Sequence, residues 1–461
     1  HYKITPKVEA SLAAYWGTGN TVYTGASRYN IRDFKMGQYK FELNHKNWML
    51  RAYTTQENAG GTFNATVTTQ LFNESWKTSV TRTGGIPTPQ PTDWYIQYVN
   101  KYLSDILSFV PDMTAHNNAR AIADIGRPVS GTTSFKNTYN TVAAKPVPYG
   151  GLLLDRTDLY NVEGSYDLTS VTSKVADILV GANFKRYVLN SEGTLFADNN
   201  GPIGINEYGA YAQASRQIFS RLKMTVSGRY DKNENFDGRF TPRATAVLNV
   251  AKDNNIRLSY QTAYRFPSNQ MQWINLPIGT DLQLIGGNKA FIDLYNFNTN
   301  QLYDYEALRK GTITAFSVKT LKPESLSSFE IGYKGLLNDG KLLLDIYGYA
   351  GQYKDFLGRF IAVQNKTGAA ITIADTTAGY KYSLPVNTTD KVKTYGFGFG
   401  LDYRLPKNFT LSLNASSDNL KDVPTGFVAY FNAPKYKVNA SIGNTGFGLN
   451  KRMGFNIAYR W

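Results

Sequence analysis

Large apolar and smaller or polar residues alternate with a period of two along much of the chain. Met453, Phe455, Ile457, Tyr459 and Trp461 alternate with Gly454, Asn456, Ala458 and Arg460. Tyr395, Phe397, Phe399, Leu401 and Tyr403 alternate with Gly396, Gly398, Gly400, Asp402 and Arg404. The same reading holds around Leu222–Tyr230, Ile256–Tyr260, Phe329–Tyr333, Phe409–Ala415 and Val438–Ile442. A period of two places one set on each face of a β-strand, here an apolar face and a face of charges, amides, hydroxyls or glycine. The pattern predicts strands over 6–16, 37–45, 48–56, 157–167, 174–189, 205–219, 222–231, 240–250, 255–265, 327–336, 341–353, 357–364, 391–404, 408–416, 434–443 and 451–461.

Several neighbouring strands are separated by two to five turn-forming residues: Lys46-Asn47, Lys252-Asp253-Asn254, Asn338-Asp339-Gly340 and Pro406-Lys407-Asn408. Such residues close tight hairpins. The intervening connections 57–156, 266–326 and 365–390 are long and rich in Asn, Thr, Gly, Pro and aromatics. Short turns at one rim and long loops at the other are the asymmetry of a transmembrane β-barrel, apolar toward lipid and polar toward its lumen. Within 57–156 one helix is expected from about Thr92 to Val110, where Trp94, Tyr95, Tyr98, Tyr102, Ile106 and Phe109 recur at helical spacing. This aromatic stripe is read as packing the loop onto the barrel mouth.

Composition narrows the classes further. No run of eighteen apolar residues occurs and the mean hydropathy is −0.37, which excludes a helical membrane protein but not a barrel, whose strands turn only alternate residues to lipid. The chain has no cysteine, so disulfides and thiolate chemistry are excluded. Aromatics make up 14% of residues, as interfacial girdles would require. The net charge of +15 is spread one or two bases to a strand with no basic stripe, so nucleic acid is not an expected partner. His1-Tyr2-Lys3-Ile4 reads as the middle of a longer sequence, with any targeting segment expected upstream.

Catalytic chemistry finds little purchase. The three histidines, His1, His45 and His116, lack metal-ligand spacing, and no Ser/His/Asp set, phosphate loop or zinc-protease motif is present. Gly396-x-Gly398-x-Gly400 lies inside an alternating strand and opens no helix, so it reads as small lumen-facing positions. Asp231 to Gly238 lacks the alternation and closing Glu of a calcium loop. No enzyme activity, metal or cofactor is expected.

Several segments resemble TonB-dependent outer-membrane receptors. Phe240-Thr-Pro242-Arg243 opens one strand, and the next, from Ile256, ends in Arg265-Phe-Pro267. Leu321-Lys-Pro323-Glu324 leads into Ser328-Phe-Glu-Ile-Gly-Tyr-Lys334. The aromatic Trp461 is similar to the final residue such barrels present to their assembly machinery. The blocks Tyr29-Asn-Ile31 and Tyr53 to Asn58 resemble receptors from Bacteroidetes-type bacteria. The resemblance implies an all-β fold, a large antiparallel transmembrane barrel of 22 strands in the whole protein. About 14–16 strands would fall in residues 1–461 as the C-terminal part of the barrel. A plug domain, a TonB box and any carboxypeptidase-regulatory-like domain would lie upstream.

The resemblance further implies bacterial outer-membrane localisation and nutrient import: a siderophore, oligosaccharide, peptide or cobalamin bound at extracellular loops and carried inward with TonB energy. A passive porin or adhesion barrel is the alternative, and a surface enzyme and a soluble sandwich are more distant rivals. Implied partners are the lipid bilayer, the TonB complex acting through the plug and the nutrient ligand, with a surface lipoprotein left open. Trp76, Trp94, Tyr95, Trp273 and Tyr303 are candidate ligand contacts, chosen as aromatics in long loops. Pro242, Arg243, Arg265, Pro267, Pro323, Glu324 and Trp461 are assigned structural roles, with inward Arg and Glu expected to pair in the lumen or contact the plug.

Overall fold

A computed structural model describes residues 1–25, 27–83, 86–278, 282–424, 427–429 and 434–461. Sixteen antiparallel strands form one continuous wall: β1 (Tyr2–Thr5), β2 (Val8–Thr24), β3 (Arg28–His45), β4 (Trp48–Asn58), β5 (Asp158–Asp167), β6 (Asp177–Leu189), β7 (Ile203–Phe219), β8 (Leu222–Asn233), β9 (Arg239–Ala251), β10 (Asn254–Arg265), β11 (Glu324–Leu337), β12 (Leu342–Lys354), β13 (Val392–Leu405), β14 (Phe409–Lys421), β15 (Lys437–Phe447) and β16 (Met453–Arg460). Each strand pairs with its sequence neighbours, and the short strand Phe63–Asn64 adds to β3. Among the described residues β1 pairs only with β2, and β16 only with β15.

Register carries the alternation across the wall. Leu258 faces Ile331, Leu401 faces Leu413, and Leu411, Ile442 and Ile457 line up on three successive strands. Leu258 (51%), Ile331 (58%), Leu411, Ile442 and Ile457 stay exposed, and Leu401 and Leu413 are half-buried. No protein layer covers them, which is the opposite of a sandwich core and the arrangement lipid requires. The opposite face holds charge networks. Arg257 bridges Glu330 (3.2 Å) and Asp345 (3.3 Å), and Lys334 lies 3.5 Å from Asp345. Arg51 pairs with Glu42 (2.6 Å) and Glu163 (2.9 Å). Along this face an added Cβ on Gly396 would sit 2.7 Å from the Tyr349 ring, and one on Gly398 would strike Tyr347. The glycine run therefore makes room for tyrosines lying across from β12, consistent with its reading as inward positions without side chains.

The short connections 46–47, 220–221, 252–253, 338–341 and 406–408 alternate with the long ones. Two findings revise the sequence reading on the long-loop side. First, 59–157 folds into four helices rather than one: α1 (Ala65–Trp76), α2 (Trp94–Leu107), α3 (Asp112–Ala123) and α4 (Thr133–Ala143). Among the described residues the middle of the α2 aromatic stripe packs on α3 rather than on a wall strand. Tyr102 stacks on His116 of α3 (4.5 Å), and the Tyr98 hydroxyl lies 2.5 Å from His116 Nδ1, so Tyr98 and Tyr102 pack a helical hairpin inside the loop, while Ile106 and Phe109 stay exposed.

Second, the strand Leu357–Gln364 is not part of the wall. It joins a six-stranded sheet with Asn275–Ile278, Leu282–Ile285, Tyr380–Asn387, Leu302–Asp304 and Ala315–Phe316, built from the connections after β10 and β12. Its core holds Ile285, Phe291, Leu302, Ala362, Tyr382 and Leu384. Arg359, buried in this sheet, donates to the Ile285 carbonyl (2.6 Å), the Ser383 carbonyl (2.5 Å) and Ser383 Oγ (3.1 Å), tying three strands together.

Candidate functional site

The long-loop region holds a cavity of about 620 Å³ between the helices of 59–157 and Pro277 of the loop sheet. Helix α1 begins where Asn64 Oδ1 accepts the Val67 N–H (3.1 Å), an N-cap that satisfies one otherwise orphaned donor, and it ends at Trp76 on the cavity wall. The next residue, Lys77, donates to Gln97 Oε1 of α2 (2.9 Å) and to the Ala123 carbonyl at the end of α3 (2.7 Å). One ammonium thus pins three helix ends around the opening. Buried Asp93 accepts from Thr81 N (2.8 Å), Thr81 Oγ1 (2.7 Å) and Gln90 N (2.8 Å), which fixes the chain entering α2 and so the position of Trp94.

Trp94 is held on three sides. It stacks on Tyr98 at 5.1 Å and meets Tyr95 edge-on at 5.1 Å. Its Nε1 donates to Asp124 Oδ1 (2.8 Å), and Asp124 pairs with Arg120 (3.0 Å) and Arg127 (3.4 Å). Burial works against the Asp124 charge, yet the Trp94 indole and Arg120 hold its carboxyl below the usual carboxylate range. Glu74 accepts from the Ser79 N–H (3.1 Å) and hydroxyl. The charges lining the cavity are thereby largely matched, and what it offers a ligand is flat aromatic surface on a rigid frame.

Of the five candidate contacts, Trp76, Trp94 and Tyr95 line this cavity together. Trp273 and Tyr303 lie elsewhere. Trp273 packs against the cores around Phe291 and Phe196, and its carbonyl accepts from Ala197 N (3.0 Å). Tyr303 packs beside Leu308, Val363 and Ile371. Both are frame residues of the loop sheet. Sequence reasoning missed Lys77, Asp93 and Asp124, which carry no motif and gain their roles only from the meeting of helix ends.

The residues assigned structural roles fall at strand ends and on the inner face. Arg265 pairs with Glu324 at 2.9 Å, and Glu324 Oε2 also accepts the Leu357 N–H at 2.9 Å, so one carboxylate links the wall to the loop sheet. Pro267 offers its carbonyl to Gln272 Nε2 (2.7 Å), and Pro323 is buried beside Glu324. Pro242 precedes the first β9–β10 pair, Arg243–Gln261, at a position where a missing N–H is tolerated. Arg243, on the inner face, is exposed. Trp461 pairs with Val438, at the long-loop end of β15.

Solved structures share the fold, and a family model gives the family. The siderophore receptor PirA from Acinetobacter baumannii superposes with a TM-score of 0.56 at 11% identity, over 100% of this chain and 56% of that one. PirA from Pseudomonas aeruginosa gives 0.52 at 11% identity, over 96% and 57%. A mutant of the ferric enterobactin receptor PfeA from Pseudomonas aeruginosa, in complex with enterobactin, gives 0.54 at 11%, over 96% and 54%. The chain therefore spans little more than half the length of these structures, and at such identity they share its fold. No curated protein sequence matches the chain. The family model described as TonB dependent receptor-like, beta-barrel matches residues 4–461. The chain belongs to the TonB-dependent receptor β-barrel family, whose members are outer-membrane proteins.

Proposed function

We propose that residues 1–461 supply barrel wall and ligand-collecting loops to an outer-membrane receptor that captures a scarce nutrient outside the cell. The nutrient is passed to the periplasm with TonB energy acting on a plug contributed by the rest of the receptor. The observation that carries this reading is the convergence of Trp76, Trp94 and Tyr95 on one cavity on the long-loop side of an apolar-faced wall. A passive pore has no use for an aromatic site held by three helix ends. Siderophores, named for the structural neighbours, are one nutrient class among those the site could serve, with oligosaccharides, peptides and cobalamin.

A surface lipoprotein partner is supported by the outer side of the α2–α3 hairpin. Val99, Leu103, Leu107 and Met113 are exposed there, and Phe109 is 95% exposed at φ 59°. A bulky residue in the left-handed region costs about 1–2 kcal/mol, and this one buries nothing in return within the chain.

The test is growth and uptake of candidate nutrients in cells with and without this receptor and with and without TonB. Uptake is expected to need both, and Trp94→Ala is expected to raise the half-saturating concentration about two- to tenfold, the range of one aromatic stacking contact. Uptake that is linear in concentration and indifferent to TonB would make the protein a passive pore and end this reading.

A further inference from the structure

At the short-turn rim of the wall the fold collects bases that no acid neutralises. Eight connections return the chain on that side. The two-residue turns 6–7, 46–47, 220–221 and 252–253 carry Lys7, Lys46, Arg221 and Lys252. The longer connections 168–176, 338–341, 406–408 and 448–452 carry Lys174, Lys341, Lys407 and the pair Lys451-Arg452. Every connection therefore holds a base, nine in all, against two acids, Asp253 and Asp339. No run of bases marks this in the sequence; the antiparallel return of the chain brings the turns to one edge.

All nine bases are exposed, and among the described residues none of them forms an ion pair or a side-chain hydrogen bond. The opposite rim differs. There Arg120 and Arg127 meet Asp124, Arg156 meets Glu192, Arg309 meets Glu306 and Lys393 meets Asp422. Lys407 and Lys451 also hold left-handed backbone, at φ 59° and 53°, which glycine or asparagine adopts more readily. At these two turns a base stands where turn geometry alone favours another residue. Successive turns lie two strand spacings apart, about 10 Å. That is about one Debye length at 0.1 M salt, so their fields add into a positive arc.

The side chains beside the bases indicate what faces this arc. Exposed Phe219 precedes Arg221, exposed Leu449 and Met453 bracket Lys451-Arg452, and exposed Val171 and Val175 bracket Lys174. Trp48 and Tyr166, paired in register on the lipid face, sit at the same ends of their strands, where amphipathic rings mark a membrane interface. A soluble acidic partner would meet the bases and leave these apolar groups in water. A bilayer meets both, with hydrocarbon for the apolar groups and phosphate for a cation at the end of its stem. The short-turn rim of a bacterial outer-membrane barrel faces the periplasm. We propose that this rim binds anionic phospholipid headgroups of the periplasmic leaflet, its bases donating to headgroup phosphates, so that the receptor gathers a shell of anionic lipid around one edge. The rim does so whatever nutrient the loops collect.

The experiment reconstitutes the whole receptor in phosphatidylcholine vesicles and measures, by electron spin resonance of spin-labelled lipids, how phosphatidylglycerol and phosphatidylcholine compete for its boundary. One base near an anionic surface is worth about fivefold. Averaged with boundary sites that no rim base reaches, phosphatidylglycerol is expected to be preferred about threefold, and about 1 M salt should bring the ratio close to one. Lys46→Gln, Arg221→Gln, Lys252→Gln, Lys341→Gln and Lys407→Gln, made together, should remove at least half of the preference. Lys136→Gln, Lys289→Gln and Lys310→Gln, at exposed lysines of the long loops, should leave it unchanged. Heat-modifiable gel mobility checks that each variant is folded, and the salt arm needs the unaltered receptor alone. Equal association of the two lipids, a preference indifferent to salt, or one that survives without the five rim bases would overturn the proposal. Sedimentation with peptidoglycan is the second arm: no lipid preference, together with cosedimentation that needs the same five bases, would assign the rim to cell-wall carboxylates and refute the lipid.

Discussion

The lipid-facing assignment of one side of the wall makes a sharp demand on two adjacent residues. Ile442 lies mid-strand in β15, exposed, in line with Leu411 and Ile457 on its neighbours. Ser441 points to the other face, paired with Ser412 and Ala458. Arginine at Ile442 would meet hydrocarbon near the bilayer midplane, at a cost of about 2–4 kcal/mol, which is about 30- to 700-fold in the folding equilibrium. The cavity penalty of a core substitution does not enter, because the isoleucine has no protein layer against it. Arginine at Ser441, half-buried on the lumen face, would keep its guanidinium in water and should cost no more than about 1 kcal/mol, as ordinary substitutions away from a core do. Tyr403→Arg, close to the 406–408 turn, should cost about 0–1 kcal/mol, as expected near the interface. The assay is urea titration of the receptor folded in lipid vesicles, followed by heat-modifiable gel mobility. Equal effects at 441 and 442, or no depth dependence between 442 and 403, would refute the assignment and return the sheet to water.

Other parts of the structure make their own demands. Gly398→Leu should destabilise the barrel by about 1–3 kcal/mol through collision with the Tyr347 ring, and Tyr347→Ala in the same chain should recover much of the loss in the same urea assay. Glu324→Ala removes the acceptor of both Arg265 and Leu357 N–H and should cost about 1–3 kcal/mol, seen as faster proteolysis of the loop sheet, with Glu324→Gln intermediate because it keeps an oxygen for Leu357. Burial first, against the hydrogen bonds from Thr157 and Glu57, pushes the Asp155 carboxyl above the ordinary range. Its folded value exceeds its unfolded one, so the protonated form supports the fold, in full below the unfolded pKa, and that support fades as pH rises through the folded value. Hydrogen exchange near 150–157 should therefore quicken as pH rises beyond its intrinsic base catalysis, and Asp155→Asn should reduce the excess, leaving the part that belongs to the neighbouring Glu57 carboxyl.

The wall was legible because lipid enforces a simple rule. A strand with hydrocarbon on one side and a wet lumen on the other must alternate strictly, and fifteen of the sixteen predicted segments lie in wall strands. The exception is instructive. Leu357–Gln364 carries Leu357, Phe360, Ile361, Ala362 and Val363 with little alternation, and residues on both faces are buried. A strand covered on both sides reads as a continuous apolar run, so the loss of alternation, not its presence, was the mark of a second sheet above the wall. The short strand Tyr2–Thr5 was missed for the reverse reason: four exposed residues carry too little pattern to register.

The site was legible only in part, and the reason is geometric. Choosing aromatics in long loops selects rings without saying which will be frame and which will be surface. Trp273 and Trp94 look alike in the sequence, but Trp273 fills a gap between two apolar cores, whereas Trp94 is held at a cavity wall by Asp124 and Tyr98. The distinction depends on partners far away in the chain, thirty residues for Asp124. The same holds for charge. A net +15 scattered along a chain points to no partner, but folding divides it unequally. Inner-face bases meet Glu42, Glu163, Glu330 and Asp345, and Arg120 and Arg127 meet Asp124. The lysines of the loop sheet meet tyrosine faces instead. Composition counts bases; only the fold shows which of them meet an acid and which a ring.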